Sequence, residues 1–170
     1  IASAFDAAGV KICPATDFAP ELLASEGMLA GRSLSTSEEA DVAFGWQLAK
    51  ELGRLDIGQT VVVKNRAPLA LEAIEGTDEC IRRAGRLCAS GGMVVVKVAK
   101  PRQDLRFDMP TIGRGTLESL RAAGATVLAI EAGRTILVDP EELAGFAHRS
   151  GIKIVSLCDE AGTPDLRNAA

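Results

Sequence analysis

Four short runs of β-branched and aliphatic residues punctuate the chain: TVVVK (60–64), GMVVVKVAK (92–100), TVLAIEA (126–132) and IKIVSLC (152–158). Continuous apolar runs of this length suit strands covered on both faces. Between them the pattern turns helical. Ser35 and Thr36 stand three residues ahead of Glu38 and Glu39, a doubled capping-box signature, and predict a helix to about Leu52 that Gly53 and Gly58 end. LALEA (69–73) lies beyond NRAP, which predicts a hairpin with TVVVK and then a helix from about Thr77 to Cys88. GTLESLRAA (115–123) predicts a helix closed by Gly124. TVLAIEA and TILVD (135–139) predict a second hairpin around Gly133, and Pro140 at the first helical position opens a helix to about Arg149. Residues 1–34 hold Pro14 and Pro20 without a sustained period and read as an arm or interdomain linker. The sum is one α/β domain over 35–170. It has a mixed β-sheet with flanking helices, two hairpin-plus-helix units at 60–89 and 126–150, and the strand at 93–99 in the centre.

Composition narrows the chemistry. The 170 residues are 47% hydrophobic, enough for a sizeable core. Nineteen basic against twenty-three acidic residues give a net charge of -4, without the basic patch that a nucleic-acid partner requires. The one histidine, His148, sits near a predicted helix end and reads as a dipole partner, and tyrosine is absent. Carboxylates, lysines and arginines must therefore carry any reaction. Cys13, Cys80, Cys88 and Cys158 lack the close spacing of zinc sites and read as reduced thiols. No apolar run approaches the roughly 20 residues of a membrane span, and no signal-peptide pattern stands at the start, so the chain reads as cytosolic. It opens on Ile1 within a connecting stretch, which suggests that an N-terminal portion precedes it.

The stretch KPRQDLRFDMPTIG (100–113) follows the central apolar run and sets Lys100, Arg102, Asp104, Arg106 and Asp108 at every second position. In an extended backbone these charges share one face, with same-side neighbours about 6.5 to 7 Å apart. Asp104 and Asp108 would then flank Arg106 at a reach suited to a divalent cation beside a phosphate. Lys97 and Lys100 add positive charge. A solvated loop whose charges merely pair satisfies the same spacing. Ligands of open α/β sheets collect outside the carboxyl ends of strands, where this stretch would lie.

A second candidate is EAIEGTDECIRR (72–83), in which Glu75 and Gly76 end a strand and Thr77 or Asp78 begins a helix. The exposed N–H groups of such a start attract anions, although simple N-capping accounts for Thr77 and Asp78 equally well. EAGRT (131–135) offers Arg134 at a hairpin tip for a phosphate, with tight-turn chemistry as the plainer reading.

Three blocks, VVVKNRAPLALEAIEGTDECIRRAG, VKVAKPRQDLRFDMPTIG and AIEAGRTILVD, occur in order between Ser35 and Leu157. Together they resemble the carboxyl-terminal domain of the UDP-2,3-diacylglucosamine pyrophosphatase family of LpxI type. The resemblance implies hydrolysis of the sugar nucleotide's pyrophosphate to 2,3-diacylglucosamine 1-phosphate and UMP in lipid A synthesis, with a divalent metal, Mg2+ or Mn2+. It also implies a cytoplasmic enzyme that meets its glycolipid substrate at the inner membrane, and a homodimer. The family's essential aspartate, one apolar residue ahead of Pro-Thr-Ile-Gly, corresponds to Asp108. The glycine-rich first half of such proteins has no counterpart in this chain.

On these grounds Asp108 is the expected metal ligand or base, with Asp104 a second metal candidate and Glu75 a water-orienting one. Lys97, Lys100, Gln103, Arg106, Thr77, Asp78, Thr111 and Arg134 are the expected substrate and phosphate contacts. Cations that neutralise phosphoryl oxygens and a polarised water suffice for this chemistry, and no histidine is needed. A noncatalytic sugar-nucleotide or anion-binding module, and a dimerisation domain, remain open as other readings.

Overall fold

The computed structural model describes residues 2–159, and the four apolar runs become four adjacent members of one sheet. Element by element, the chain runs α1 (Ala2–Ala7), β1 (Gly27–Ala30), α2 (Thr36–Arg54), β2 (Thr60–Lys64), β3 (Ala67–Leu71), α3 (Thr77–Leu87) and β4 (Met93–Lys97). It continues through β5 (Thr111–Ile112), α4 (Arg114–Ala123), β6 (Ala125–Glu131), β7 (Ile136–Leu137), α5 (Pro140–Ser150) and β8 (Lys153–Leu157). The main sheet has the order β1-β8-β6-β4-β2-β3. β4, β6 and β8 run parallel, while β2 and β1 run against them. The fold is the expected mixed α/β domain.

The continuous apolar runs arise because both sheet faces are covered. Val61, Val63, Val94, Val96, Val127 and Val155 pack with Val42, Trp46 and Ala49 of α2 on one side. Val62, Val95, Leu128 and Ile154 alternate to the other side and pack with Ile81, Leu117, Leu120, Leu143 and Phe146 from α3, α4 and α5. α2 begins at Ser35 with a full capping box to Glu38. It approaches the sheet through Gly45, where a Cβ would lie 2.8 Å from the Val96 side chain. Gly53 does not end this helix as expected. It is a buried position within it, and a Cβ there would sit 3.2 Å from Lys100 Cα, so its bareness lets the chain leaving β4 pass.

The first hairpin forms with β3 two residues earlier than expected. Its turn residues, Asn65 and Arg66, both have positive φ, 53° and 57°. Neither is glycine, so the turn needs outside support. Asp41, buried on α2, supplies it by accepting the N–H groups of Asn65 and Arg66 at 2.9 and 2.5 Å.

The second expected hairpin does not form. β7 pairs in parallel with β5 as a separate two-stranded ribbon, and the turn after β6 is taken up instead by Ala24 and Leu157, whose carbonyls accept from Gly133 and Ala132 at 2.9 Å. The stretch read as an arm also enters the fold: Gly27–Ala30 is an outer strand against β8. Four half-buried residues are too few to show a period. Cys13, Cys80 and Cys88 are free thiols, and burial pushes the Cys80 thiol up to about 12. Among the described residues, no helix is long and apolar enough to cross a membrane.

Asp41→Ala should leave the two turn N–H groups without their acceptor, for a loss of about 2 kcal/mol in unfolding free energy. Urea denaturation checks this, and an unchanged midpoint would show that the turn stands without Asp41.

Candidate active site at the carboxyl edge of the sheet

β4 and β6 end on charged residues that the sheet buries, Lys97 and Glu131. β2 runs the other way and begins at the same edge with buried Thr60, paired opposite Lys97. The Lys97 ammonium donates to the Thr111 carbonyl at 3.2 Å. Burial lowers its pKa, and the charges of Glu72, Asp78 and Asp108 act against that shift. One buried ammonium thus lies in the field of three carboxylates: Glu72 just after β3, Asp78 in the first turn of α3 and Asp108 in the loop after β4. Such a group survives burial only where opposite charge compensates it.

The start of α3 differs from simple capping. Gly76, at φ 82°, is the N-cap, and no side chain caps the helix. The Thr77 hydroxyl instead donates to the Glu72 carboxylate at 3.3 Å and lies 3.2 Å from Thr60 Oγ1. Asp78 Oδ1 is buried without a hydrogen-bond partner, as are Gln59 Oε1 and Arg134 Nε. Buried polar atoms in native proteins are nearly always satisfied, so exceptions gathered along one edge mark a place built for something besides folding.

The loop after β4 is not the extended row that its alternation predicts. It turns, with the N–H groups of Phe107 and Asp108 both bonded to the Asp104 carbonyl at 3.0 and 3.1 Å. Asp104 and Arg106 close on each other through two contacts of 2.9 and 2.7 Å, and that hydrogen bonding holds the Asp104 pKa below its ordinary value. Lys100 reaches outward to Asp56 at 2.7 Å. Gln103 braces the loop: its amide oxygen accepts the Lys100 N–H at 3.0 Å and its amide nitrogen donates to Asp108 at 2.7 Å. Lys100, Gln103, Asp104 and Asp108 line a depression of about 330 Å³ against Gly53 and Asp56. Glu75 belongs to a surface pair with Arg83 at 2.5 Å, which lowers its pKa.

The structure therefore gathers Lys97, Asp78, Thr77, Thr111 and Asp108, whereas Asp104 with Arg106, and Glu75 with Arg83, form pairs of their own. It adds Glu72, Thr60, Gln59, Lys50 and Glu131, which sequence reasoning passed over. For Thr60, Glu131, Gln59 and Glu72 the signal was present, since a charged or polar residue at or beside the end of a buried strand is costly unless it faces a site, whereas Lys50 stands on α2 without such a mark. Among the described residues, no group of three or more histidine, cysteine or acidic side chains is assembled to hold a metal ion.

Two comparisons bear on this edge. The family model of the LpxI C-terminal domain matches residues 25–155. UDP-2,3-diacylglucosamine pyrophosphatase LpxI of Caulobacter vibrioides is 35% identical over 161 residues, covering 90% of this chain and 57% of its own length. The chain thus spans little more than half of that curated relative.

Lys97→Met removes a buried ammonium whose pKa burial lowers. A lysine whose folded-state pKa lies below its unfolded value costs stability at lower pH, and that cost is released as pH rises through the folded value. The parent should therefore gain stability between neutral pH and about pH 10, and the variant should not. Urea melts at several pH values check this, and parallel pH profiles for the two proteins would contradict the burial of the Lys97 charge.

Proposed function

The chain belongs to the LpxI family, and from that premise we propose that it forms the catalytic half of a UDP-2,3-diacylglucosamine pyrophosphatase. The reaction is hydrolysis of the substrate's pyrophosphate to 2,3-diacylglucosamine 1-phosphate and UMP, a step of lipid A synthesis. The observation that carries this reading is the buried Lys97 at the carboxyl edge of the central strands, its ammonium bonded to the Thr111 carbonyl and lying in the field of Asp108 and Asp78. A pyrophosphate needs fixed positive charge, and the attacking water needs a carboxylate beside it.

In this reading Lys97 and Arg134 bind phosphoryl oxygens, with Lys100, Thr77 and Thr111 around them. Asp108, held in orientation by Gln103, aligns the water and takes its proton as the new P–O bond forms and the bond to the bridging oxygen breaks. The two phosphate monoesters leave as anions. A divalent cation, Mg2+ or Mn2+, fits the donor set in one form only. The edge offers no preformed cage among the described residues, but Mg2+ commonly takes one or two carboxylates and completes its shell with phosphates and water. Asp108 and Asp78, the latter with a buried unpartnered oxygen, would hold it, since Asp104 is engaged by Arg106. When bound, such an ion neutralises charge on the phosphoryl oxygens.

The loops at this edge also expose Ile57, Ile74 and Phe107. That apolar rim beside a polar site suits an acylated sugar nucleotide met at the inner-membrane surface. A cytoplasmic homodimer belongs to the same proposal, and light scattering at micromolar concentration checks it.

The test is UMP release by the full-length protein. Asp108→Asn should lower kcat by at least ~10²-fold with KM little changed, because a group acting mainly in the transition state leaves ground-state binding intact. A metal chelator should abolish turnover, and added Mg2+ or Mn2+ restore it. Near wild-type turnover by a folded Asp108→Asn protein would contradict the assignment, and saturable binding without turnover by the parent would favour a noncatalytic module.

A further inference from the structure

Glu131 closes β6 with a carboxylate that is only 2% exposed, and its two oxygens serve different parts of the edge. Oε2 accepts the Ala99 N–H at 2.8 Å and pairs with Lys50 of α2 at 2.8 Å. Oε1 faces Arg134 at 3.7 Å. Ala99 is where β4 has ended and the loop carrying Asp108 begins. Successive N–H groups there are taken by three different acceptors: Val98 by the Gln59 carbonyl, Ala99 by Glu131, and Lys100 by the Gln103 amide. The same Gln103 amide then holds Asp108.

The turn of residues 131–135 does not depend on this carboxylate. Its backbone is tied to Leu157 and Ala24 through Ala132, Gly133 and Thr135. Nor does a single buried N–H call for a buried charge, since a neutral amide or hydroxyl satisfies it at lower desolvation cost. The short pair with Lys50 accounts for a charge here, and the second oxygen, which neither Lys50 nor the loop uses, is turned to the arginine. We infer that Glu131 is a positioning residue, setting the base of the Asp108 loop with one oxygen and the direction of Arg134 with the other. The catalytic consequence rests on the pyrophosphatase reading above, whereas the structural coupling stands without it.

The experiment uses the full-length protein with Glu131→Gln and Glu131→Ala, measuring UMP release together with peptide-resolved hydrogen exchange. Glu131→Gln keeps an oxygen for Ala99 but turns a neutral NH2 towards Arg134. Exchange over residues 98–108 should then stay near the parental rate, while KM rises about tenfold and kcat changes little. Glu131→Ala loses all three contacts, to Ala99, Lys50 and Arg134, so exchange over 98–108 should accelerate about tenfold or more, and kcat should fall by a similar factor. Parental KM in Glu131→Gln would overturn the role towards Arg134. Faster exchange spread evenly through β4, β6 and β8, or parental kcat in folded Glu131→Ala, would overturn the role towards the loop. Should Glu131→Ala fail to fold, the isosteric variant decides through its split between KM and kcat. If the parent releases no UMP, the pyrophosphatase reading falls, and exchange confined to 98–108 or its absence still decides the coupling.

Discussion

A lysine ammonium held out of water needs opposite charge within reach, and much of this molecule's organisation at one edge can be understood as meeting that need at Lys97. The strand that carries it lies between β2 and β6, so its last residue is walled by sheet on both sides. Compensation has to come from outside the strand. The β3–α3 connection brings Glu72, the first turn of α3 brings Asp78, and the loop after β4 brings Asp108. Each of these carries a constraint of its own. Thr77 turns its hydroxyl to Glu72 instead of capping α3, and Gln103 spends both ends of its amide on holding the loop. More carboxylates than cations remain, which is the electrostatic condition for drawing in a further positive charge with a phosphate-bearing substrate.

The same edge shows how packing and chemistry share residues. Gly53 lets the chain leaving β4 cross the end of α2 at close range, and Lys50 one turn earlier on that helix reaches Glu131. Lys50 also pairs with Asp159 at 2.8 Å, beside Trp46, so the segment after β8 is tied to the same helix face. A helix that packs valines on one stretch therefore aligns charges on the next. The arrangement suits positioning catalysis, in which the protein contributes fixed dipoles and charges and little covalent chemistry.

Much of the sheet was legible in the sequence because burial on both faces writes itself as uninterrupted Val, Ile and Leu. The caps were legible too: Ser35 with Glu38, Pro140 after Asp139, and Gly124 after α4 all stand where local chemistry placed them. What failed was non-local or self-referential. β7 was assigned to β6 by proximity, yet it pairs with β5, more than twenty residues upstream, and no local pattern records that choice. The charge alternation at 100–108 assumed an extended backbone. Asp104 instead accepts the Arg106 N–H at 3.1 Å, the kind of local side-chain bond by which aspartate turns a chain. Asp108 was reachable through the family resemblance, and Lys97 through its place after a buried run. Glu72 and Glu131 were hidden by reading strand ends as punctuation.

We propose that the phosphates of a uridine nucleotide meet this chain at Lys97. In full-length protein labelled with 15N at lysine side chains, titration with UMP, the proposed product, in the presence of Mg2+ tests it directly. The Lys97 ammonium resonance should show a saturable shift larger than that of any other lysine. Saturable binding with Lys97 unmoved, and shifts confined to surface lysines such as Lys64 or Lys153, would contradict it.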